Sequence, residues 1–179
     1  MKYFLAIIPP NQINRKIIKF QKGFSFEERA FLVEPHITVK SPNGLPEHKR
    51  WLYNTEKIIR SFPPFDIQLK EIGYFNDSIV FIKPCDSKVL ENLHRSLVET
   101  IDPSPKSIKE FFEYEDFVPH LTLGRTSWGI SEGQLDVLKN MASVYLLPLP
   151  SFKVKVISLF EHTENDKSCR KVIDIPLLG

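Results

Sequence analysis

Five residues occur twice in this chain. Pro35-His36-Ile37-Thr38-Val39 is matched by Pro119-His120-Leu121-Thr122-Leu123. Both copies read proline, histidine, branched aliphatic, threonine, branched aliphatic, and both fall where a strand is expected to begin. Side chains of a strand alternate between its two faces. His36 and Thr38 therefore share one face and Ile37 and Val39 the other. His120 and Thr122 are set against Leu121 and Leu123 in the same way. The aliphatics can anchor each strand in a core while an imidazole and a hydroxyl stand side by side on the opposite face. Proline ahead of histidine suits a strand start, where a missing N–H matters least. A lone histidine-x-hydroxyl triplet carries no such information. His94-Arg95-Ser96 is one, but it lies in a helical pattern, where residues two apart do not share a face, and it lacks the aliphatics. The duplication is informative because the chain has only five histidines and six threonines.

The elements around the two copies mix hairpins with helices. Tyr3 to Ile8 reads as a buried strand stopped by Pro9-Pro10. Asn11 to Lys22 has Ile13, Ile17 and Phe20 at helical spacing, with Asn11 as N-cap and Gly23 as terminator. Phe24 to Val33 is ambiguous. Ile37 to Lys40 is a short strand closed by the turn Ser41-Pro42-Asn43-Gly44, and Pro46 to Arg60 a helix. Phe65 to Ile72 starts in strict alternation and reads as one strand; Asn76-Asp77 then turns the chain into Ile79 to Ile82. Asp86 to Ile101 is a helix capped by Asp86 or Ser87, with Val89, Leu90, Leu93, Leu97 and Val98 as its buried stripe. Lys106 to Asp116 reads as a mobile surface segment that borders a cleft. Val118 to Leu123 is a strand and Ser131 to Ala142 a helix capped by Ser131. Phe152 to Phe160 is a strand, joined through an Asn165-Asp166 turn to a last strand, Arg170 to Ile175. This order predicts an α+β fold with antiparallel sheets. No Gly-rich nucleotide loop is present.

Composition narrows the function classes. At 179 residues the chain can bury a core without metals or disulfides. A net charge of +2 is no nucleic-acid footprint, although a local anion site depends on where charge sits rather than on its sum. Cys85 and Cys169 have no neighbouring cysteine, so they read as small, buried, reduced thiols. The longest early apolar run, Tyr3 to Ile8, is too short for a signal-peptide core or a membrane span. The expected setting is the cytoplasm, with no membrane and a monomeric chain.

At the two motifs the sequence resembles the 2H phosphoesterase superfamily, the 2′-5′ RNA ligase-like and cyclic phosphodiesterase proteins. Their signature is a pair of His-x-Thr/Ser motifs in an internally duplicated α+β fold. The resemblance extends to Tyr3-Phe4-Leu5-Ala6-Ile7, to Gly73-Tyr74-Phe75 with Ile79-Val80-Phe81-Ile82, and to Phe152–Phe160 with Lys171–Leu177. Pro119-His120-Leu121-Thr122-Leu123-Gly124-Arg125 matches the second motif closely, trailing arginine included. The first motif runs into Lys40-Ser41-Pro42, unlike the ligase-like branch. The resemblance implies one bilobal domain over residues 1–179. It implies two pseudo-symmetric lobes, each an antiparallel sheet with helices outside, and an active-site cleft between them.

Two histidines across a cleft can divide acid–base work, because imidazole titrates near neutrality. On a 2′,3′-cyclic phosphate, neutral imidazole would take a proton from the attacking water, and imidazolium would protonate the departing ribose oxygen. His36 and His120 are the expected pair. Thr38 and Thr122 would hold the non-bridging oxygens, with no metal or cofactor required. Arg125 can bind phosphate through two parallel hydrogen bonds. By strict alternation, however, it faces away from His120 and Thr122 unless Gly124 introduces a bulge or the strand ends there, and it reads equally as an exposed surface cation. Lys40 shares the face of His36 and Thr38 and reads as a solvated lysine or a phosphate contact. Phe4, Tyr74, Phe75 and Phe81 are core residues or base-stacking surfaces. His48 and His162 read as surface residues without a role. The leading expectation is a phosphodiesterase acting on cyclic-phosphate RNA ends or small cyclic nucleotides. The alternatives are 2′-5′ ligation or cleavage at the same histidines, and a non-catalytic RNA- or nucleotide-binding module.

Overall fold

A computed structural model describes residues 2–24, 26–41, 45, 50–163 and 168–178. The turns expected at Ser41–Gly44 and at Asn165-Asp166, the start of the helix expected from Pro46, and His48 lie wholly or partly outside the described residues. The elements run β1 (Lys2–Ile7), α1 (Asn11–Gln21), β2 (Ile37–Lys40), α2 (Arg50–Ile59), β3 (Phe65–Ile67), β4 (Leu69–Phe75), β5 (Ile79–Pro84), α3 (Lys88–Ile101), α4 (Pro105–Glu110), β6 (Leu121–Arg125), α5 (Glu132–Met141), β7 (Phe152–Val154), β8 (Val156–Thr163) and β9 (Ser168–Pro176). No helix among the described residues is long and apolar enough to cross a membrane.

Seven strands form one antiparallel sheet in the order β4-β5-β6-β2-β1-β8-β9, and β3 pairs with β7 as a separate ribbon. The architecture is α+β, as expected. Two strands that the alternation joins are in fact split. The Phe65 to Ile72 run breaks at Gln68 and the Phe152 to Phe160 run at Lys155, because β3 and β7 pair with each other while β4 and β8 enter the large sheet. Helix starts follow local chemistry. Ser87 accepts from the Leu90 N–H, and Ser131 forms a capping box with Gln134. Asn11 is the first helical residue rather than the cap, which falls at Pro10. The β4–β5 hairpin turns at Asn76 and Asp77, both with positive φ (43° and 53°), as the tight primed turns require.

One face of the sheet is the core. Leu5, Ile7, Ile37, Val39, Ile82, Leu121, Leu123 and Leu159 project there, against Ile13 and Ile17 of α1, Ile59 of α2, Leu90, Leu93 and Leu97 of α3 and Leu138 of α5. The other face carries a small second cluster of Phe4, Ala6 and Phe160.

The topology repeats. β1–α1–β2 and β5–α3–β6 are the same unit: a strand, a helix, then an antiparallel partner strand carrying a motif. Each helix crosses to the other half, so α1 packs behind β6 and α3 behind β2. The two antiparallel halves meet where β2 pairs with β6 through Ile37 and Leu121.

Gly73 of β4 is fixed by packing. A Cβ there would lie 2.4 Å from Cε2 of Phe81, directly across the hairpin and 4 % exposed. Gly73→Val should therefore lower stability by about 1–3 kcal/mol. Chemical denaturation of the variant checks this, and a midpoint equal to that of the parent would contradict it.

Candidate active site

The β2–β6 pairing builds the site. Ile37 lies opposite Leu121, so antiparallel register sets His36 beside Thr122 and Thr38 beside His120. The two histidines are then diagonal neighbours, for which a separation of about 7–8 Å is usual, somewhat less between Cβ atoms. All four side chains line one cleft of 610 Å³, a volume suited to a nucleotide-sized ligand. Ile37, Val39, Leu121 and Leu123 are fully buried on the opposite face, which is the alternation expected of both motifs.

Each imidazole is held in the same way. Nδ1 of His36 donates to the Glu34 carbonyl at 2.8 Å, and Nδ1 of His120 to the Val118 carbonyl at 2.8 Å. A carbonyl only accepts, so these contacts fix the Nδ1–H tautomer and leave the lone pair of each ring on Nε2. Phenylalanines pack both rings. Phe4 and Phe160 lie 5.4 and 6.4 Å from His36, and Phe75 and Phe81 lie 5.1 and 5.0 Å from His120. This burial pushes both imidazoles below their ordinary value of 6.5. The carbonyl hydrogen bonds oppose the shift in both, and the charge of His120 adds to the drop at His36.

Arg125 reaches the cleft because β6 bulges. Thr122 pairs with Phe81 and Gly124 with Val80, so Leu123 is an extra residue. The extra residue resets the alternation and returns Arg125 to the side of Thr122. Arg125 is exposed, lines the cleft and has no acidic partner among the described residues.

Comparison with known proteins gives the family. The family model described as the 2′-5′ RNA ligase superfamily matches residues 9–166. The chain belongs to the 2′-5′ RNA ligase superfamily. It is 30% identical over 173 residues to a Methanocaldococcus jannaschii protein named RNA 2′,3′-cyclic phosphodiesterase, covering 91% of this chain and 92% of that one. Among solved structures it resembles TT0787 of Thermus thermophilus, with a TM-score of 0.71 and 18% identity over 100% of this chain and 99% of that one. It also resembles Escherichia coli LigT complexed with NADP+, with a TM-score of 0.66 and 19% identity over 99% and 98% of the two chains. The last two likenesses concern the fold. The family and α+β fold implied by the two motifs are thus those of the molecule.

Within this superfamily fold, several residues depart from expectation. Lys40 is neither solvated nor in the cleft. β2 bulges as β6 does: Thr38 pairs with Ala6 and Lys40 with Leu5, leaving Val39 as the extra residue. Lys40 is thereby turned into the core, fully buried, with its ammonium 2.5 Å from Glu113. Glu113 belongs to the segment expected to be mobile. Instead that segment forms α4 and a short 3-10 turn, Tyr114–Asp116, on the core side, and contributes no residue to the cleft. Phe112 and Tyr114, on either side of Glu113, adopt positive φ (51° and 57°). That strain is sustained by the anchoring of the carboxylate between them.

His94, the helical counter-example of the sequence, is buried beside this pair. Its Nδ1 donates to the Val39 carbonyl at 2.8 Å, the Tyr114 N–H donates to its Nε2, and its ring stacks on Phe117 at 3.7 Å. Burial lowers its pKa to about 4, with Lys40 and Arg95 adding to the drop against the Val39 hydrogen bond.

His162, expected at the surface, is half-buried in the cleft wall. It follows Phe160 by two on β8 and shares its face. Lys22 and Trp128 also line the cleft. The alternation of Phe160 and His162 was a usable signal for His162; Lys22 and Trp128 carried none. Of the four aromatics, Phe4 and Phe81 are buried and Phe75 half-buried, all against the histidines. Tyr74 is exposed beneath Lys139. Cys85 is exposed rather than buried, and Cys169 is half-buried, its thiol pushed up to about 11 by burial.

The buried neutral His94 has a pH signature. Its folded pKa of about 4 lies below the ordinary 6.5. The unfolded ring therefore binds the extra proton, and the stabilisation present above pH 6.5 is lost as pH falls through 4. Glu113, raised by burial, acts in the opposite direction, so a variant isolates the effect. The stability gap between the parent and His94→Asn should narrow by about 1–3 kcal/mol from pH 6.5 to 4. Urea denaturation at several pH values measures it, and a constant gap would contradict it.

Proposed function

We propose that this chain is a metal-independent phosphodiesterase that opens 2′,3′-cyclic phosphates at RNA ends or on small nucleotides. It would act as a single bilobal domain with His36 and His120 as the acid–base pair. The observation that carries the proposal is the pair of half-buried imidazoles in one cleft, each with Nδ1 occupied by a carbonyl and Nε2 left for chemistry. The Methanocaldococcus jannaschii relative, named for this activity, supports the same substrate class.

The chemistry follows from charge. In the free cleft, burial favours neutral rings. A bound phosphodiester brings negative charge against them, which favours imidazolium and allows one ring to hold a proton. Nε2 of the neutral ring accepts a proton from water as its oxygen bonds to phosphorus. Nε2–H of the protonated ring passes its proton to the departing ribose oxygen as the P–O bond breaks. One water is consumed, a phosphomonoester forms, and the two rings exchange protonation states. Thr38 and Thr122 donate hydroxyls to the non-bridging oxygens, and Arg125 neutralises the charge they carry. The low net charge suits a short substrate better than a long RNA.

Turnover of 2′,3′-cyclic nucleotides and of a cyclic-phosphate-ended oligonucleotide in EDTA tests this. His36→Ala and His120→Ala should each lose about 10²–10⁴-fold in kcat. Arg125→Ala should lose about 10–100-fold in kcat/KM. Near-parental rates in both histidine variants would reject the assignment. Turnover confined to linear 2′-5′ oligomers would move the reading to 2′-5′ linkages.

A further inference from the structure

We propose that Gln21 and His94 are positioning residues for the two catalytic motifs, each donating a buried side-chain N–H to the carbonyl of the residue that bulges immediately after its motif's threonine. The inference rests on the assignment of His36 and His120 as the acid–base pair. The two bulges are equivalent. Val39 is the extra residue after Thr38, and Leu123 is the extra residue after Thr122. Strand parity depends on them, since a slip of one residue exchanges the faces of a strand. The extra residue of a bulge drops out of the ladder, and both of these are fully buried. A buried carbonyl outside the ladder needs another donor. The Val39 carbonyl takes Nδ1–H of His94 at 2.8 Å, and the Leu123 carbonyl takes the Gln21 amide at 3.0 Å. Both donors are buried, at 1% and 3% exposure.

The donors are crossed. Gln21 ends α1, the helix that leads into the first motif, yet it holds the second. His94 sits on α3, the helix that leads into the second motif, yet it holds the first. His94 also stacks on Phe117, next to Val118, whose carbonyl orients the His120 ring. Each half of the sheet thus fixes the bulge of the other. Relative placement of the two imidazoles then depends on two hydrogen bonds that touch neither ring.

Three variants test this. Gln21→Met keeps volume and removes the N–H; His94→Leu does the same at the other clamp; His94→Asn keeps an N–H at the position of Nδ1. Each is assayed with 2′,3′-cyclic nucleotides, and its imidazoles are followed by ¹⁵N NMR, a readout independent of turnover. Gln21→Met and His94→Leu should lose about 10- to 100-fold in kcat, with KM within about threefold. Gln21→Met should displace the His120 signals, His94→Leu those of His36, and His94→Asn should recover most of the loss. Folded Gln21→Met and His94→Leu proteins with parental kcat and unchanged imidazole signals would overturn the proposal. So would a His94→Asn protein as impaired as His94→Leu. If His94→Leu does not fold, Gln21→Met and His94→Asn decide on the same readouts. Absence of turnover in the parent would reject the functional assignment, and the NMR signals would still decide whether the clamps position the rings.

Discussion

A single antiparallel pairing, Ile37 with Leu121, determines what the rest of the molecule can do. It joins the two halves of the sheet, and both partners are fully buried. Once those aliphatics face the core, period-two alternation leaves no choice for their neighbours. Two histidines and two threonines must emerge together on the opposite face. The helices then close the core side and leave the motif side open as the cleft. The site is therefore a consequence of hydrophobic burial on the far side of the same two strands.

Near-symmetry gives the two imidazoles almost the same surroundings. Each has a carbonyl two residues upstream, two phenylalanine neighbours and a value lowered by burial. Such a pair has no built-in acid and base. The asymmetry lies after the bulges. In β2 the cation is Lys40, turned inward to Glu113; in β6 it is Arg125, one position further on and turned into the cleft. In the proposed chemistry only the second motif is followed by a strand cation that meets the phosphate, and substrate orientation assigns the roles. The Lys40–Glu113 pair is a poor source of stability, because removing both charges from water offsets their attraction. Burial accordingly lowers Lys40 and raises Glu113.

Much of this was legible in the sequence because it depends on local periodicity. The motif faces, the β4–β5 turn at Asn76-Asp77 and the cap at Ser131 all follow from residue order. Arg125 was legible conditionally, since its direction turned on a bulge near Gly124, and the bulge is there. Lys40 was misread because the matching bulge at Val39 has no glycine to announce it. The breaks at Gln68 and Lys155 were invisible for a related reason. They reflect which partner strand is available, a long-range property, and each lies inside or beside an alternating run. Glu113 was hidden by its polar surroundings. A charged residue in a hydrophilic stretch reads as exposed, and the partner that it meets in the core, Lys40, sits on a distant strand. His162 was underread although its alternation with Phe160 was visible.

On the proposed function, two neutral imidazoles, both in the Nδ1–H form, share one phosphate site. Long-range ¹⁵N–¹H NMR of the histidine rings across a pH titration tests it directly, first in the free protein and then with inorganic phosphate. His36 and His120 should both carry their proton on Nδ1, both titrate below the ordinary imidazole value, and both move upward when phosphate binds. Nε2–H tautomers, or two rings that titrate at the ordinary value and ignore phosphate, would contradict it.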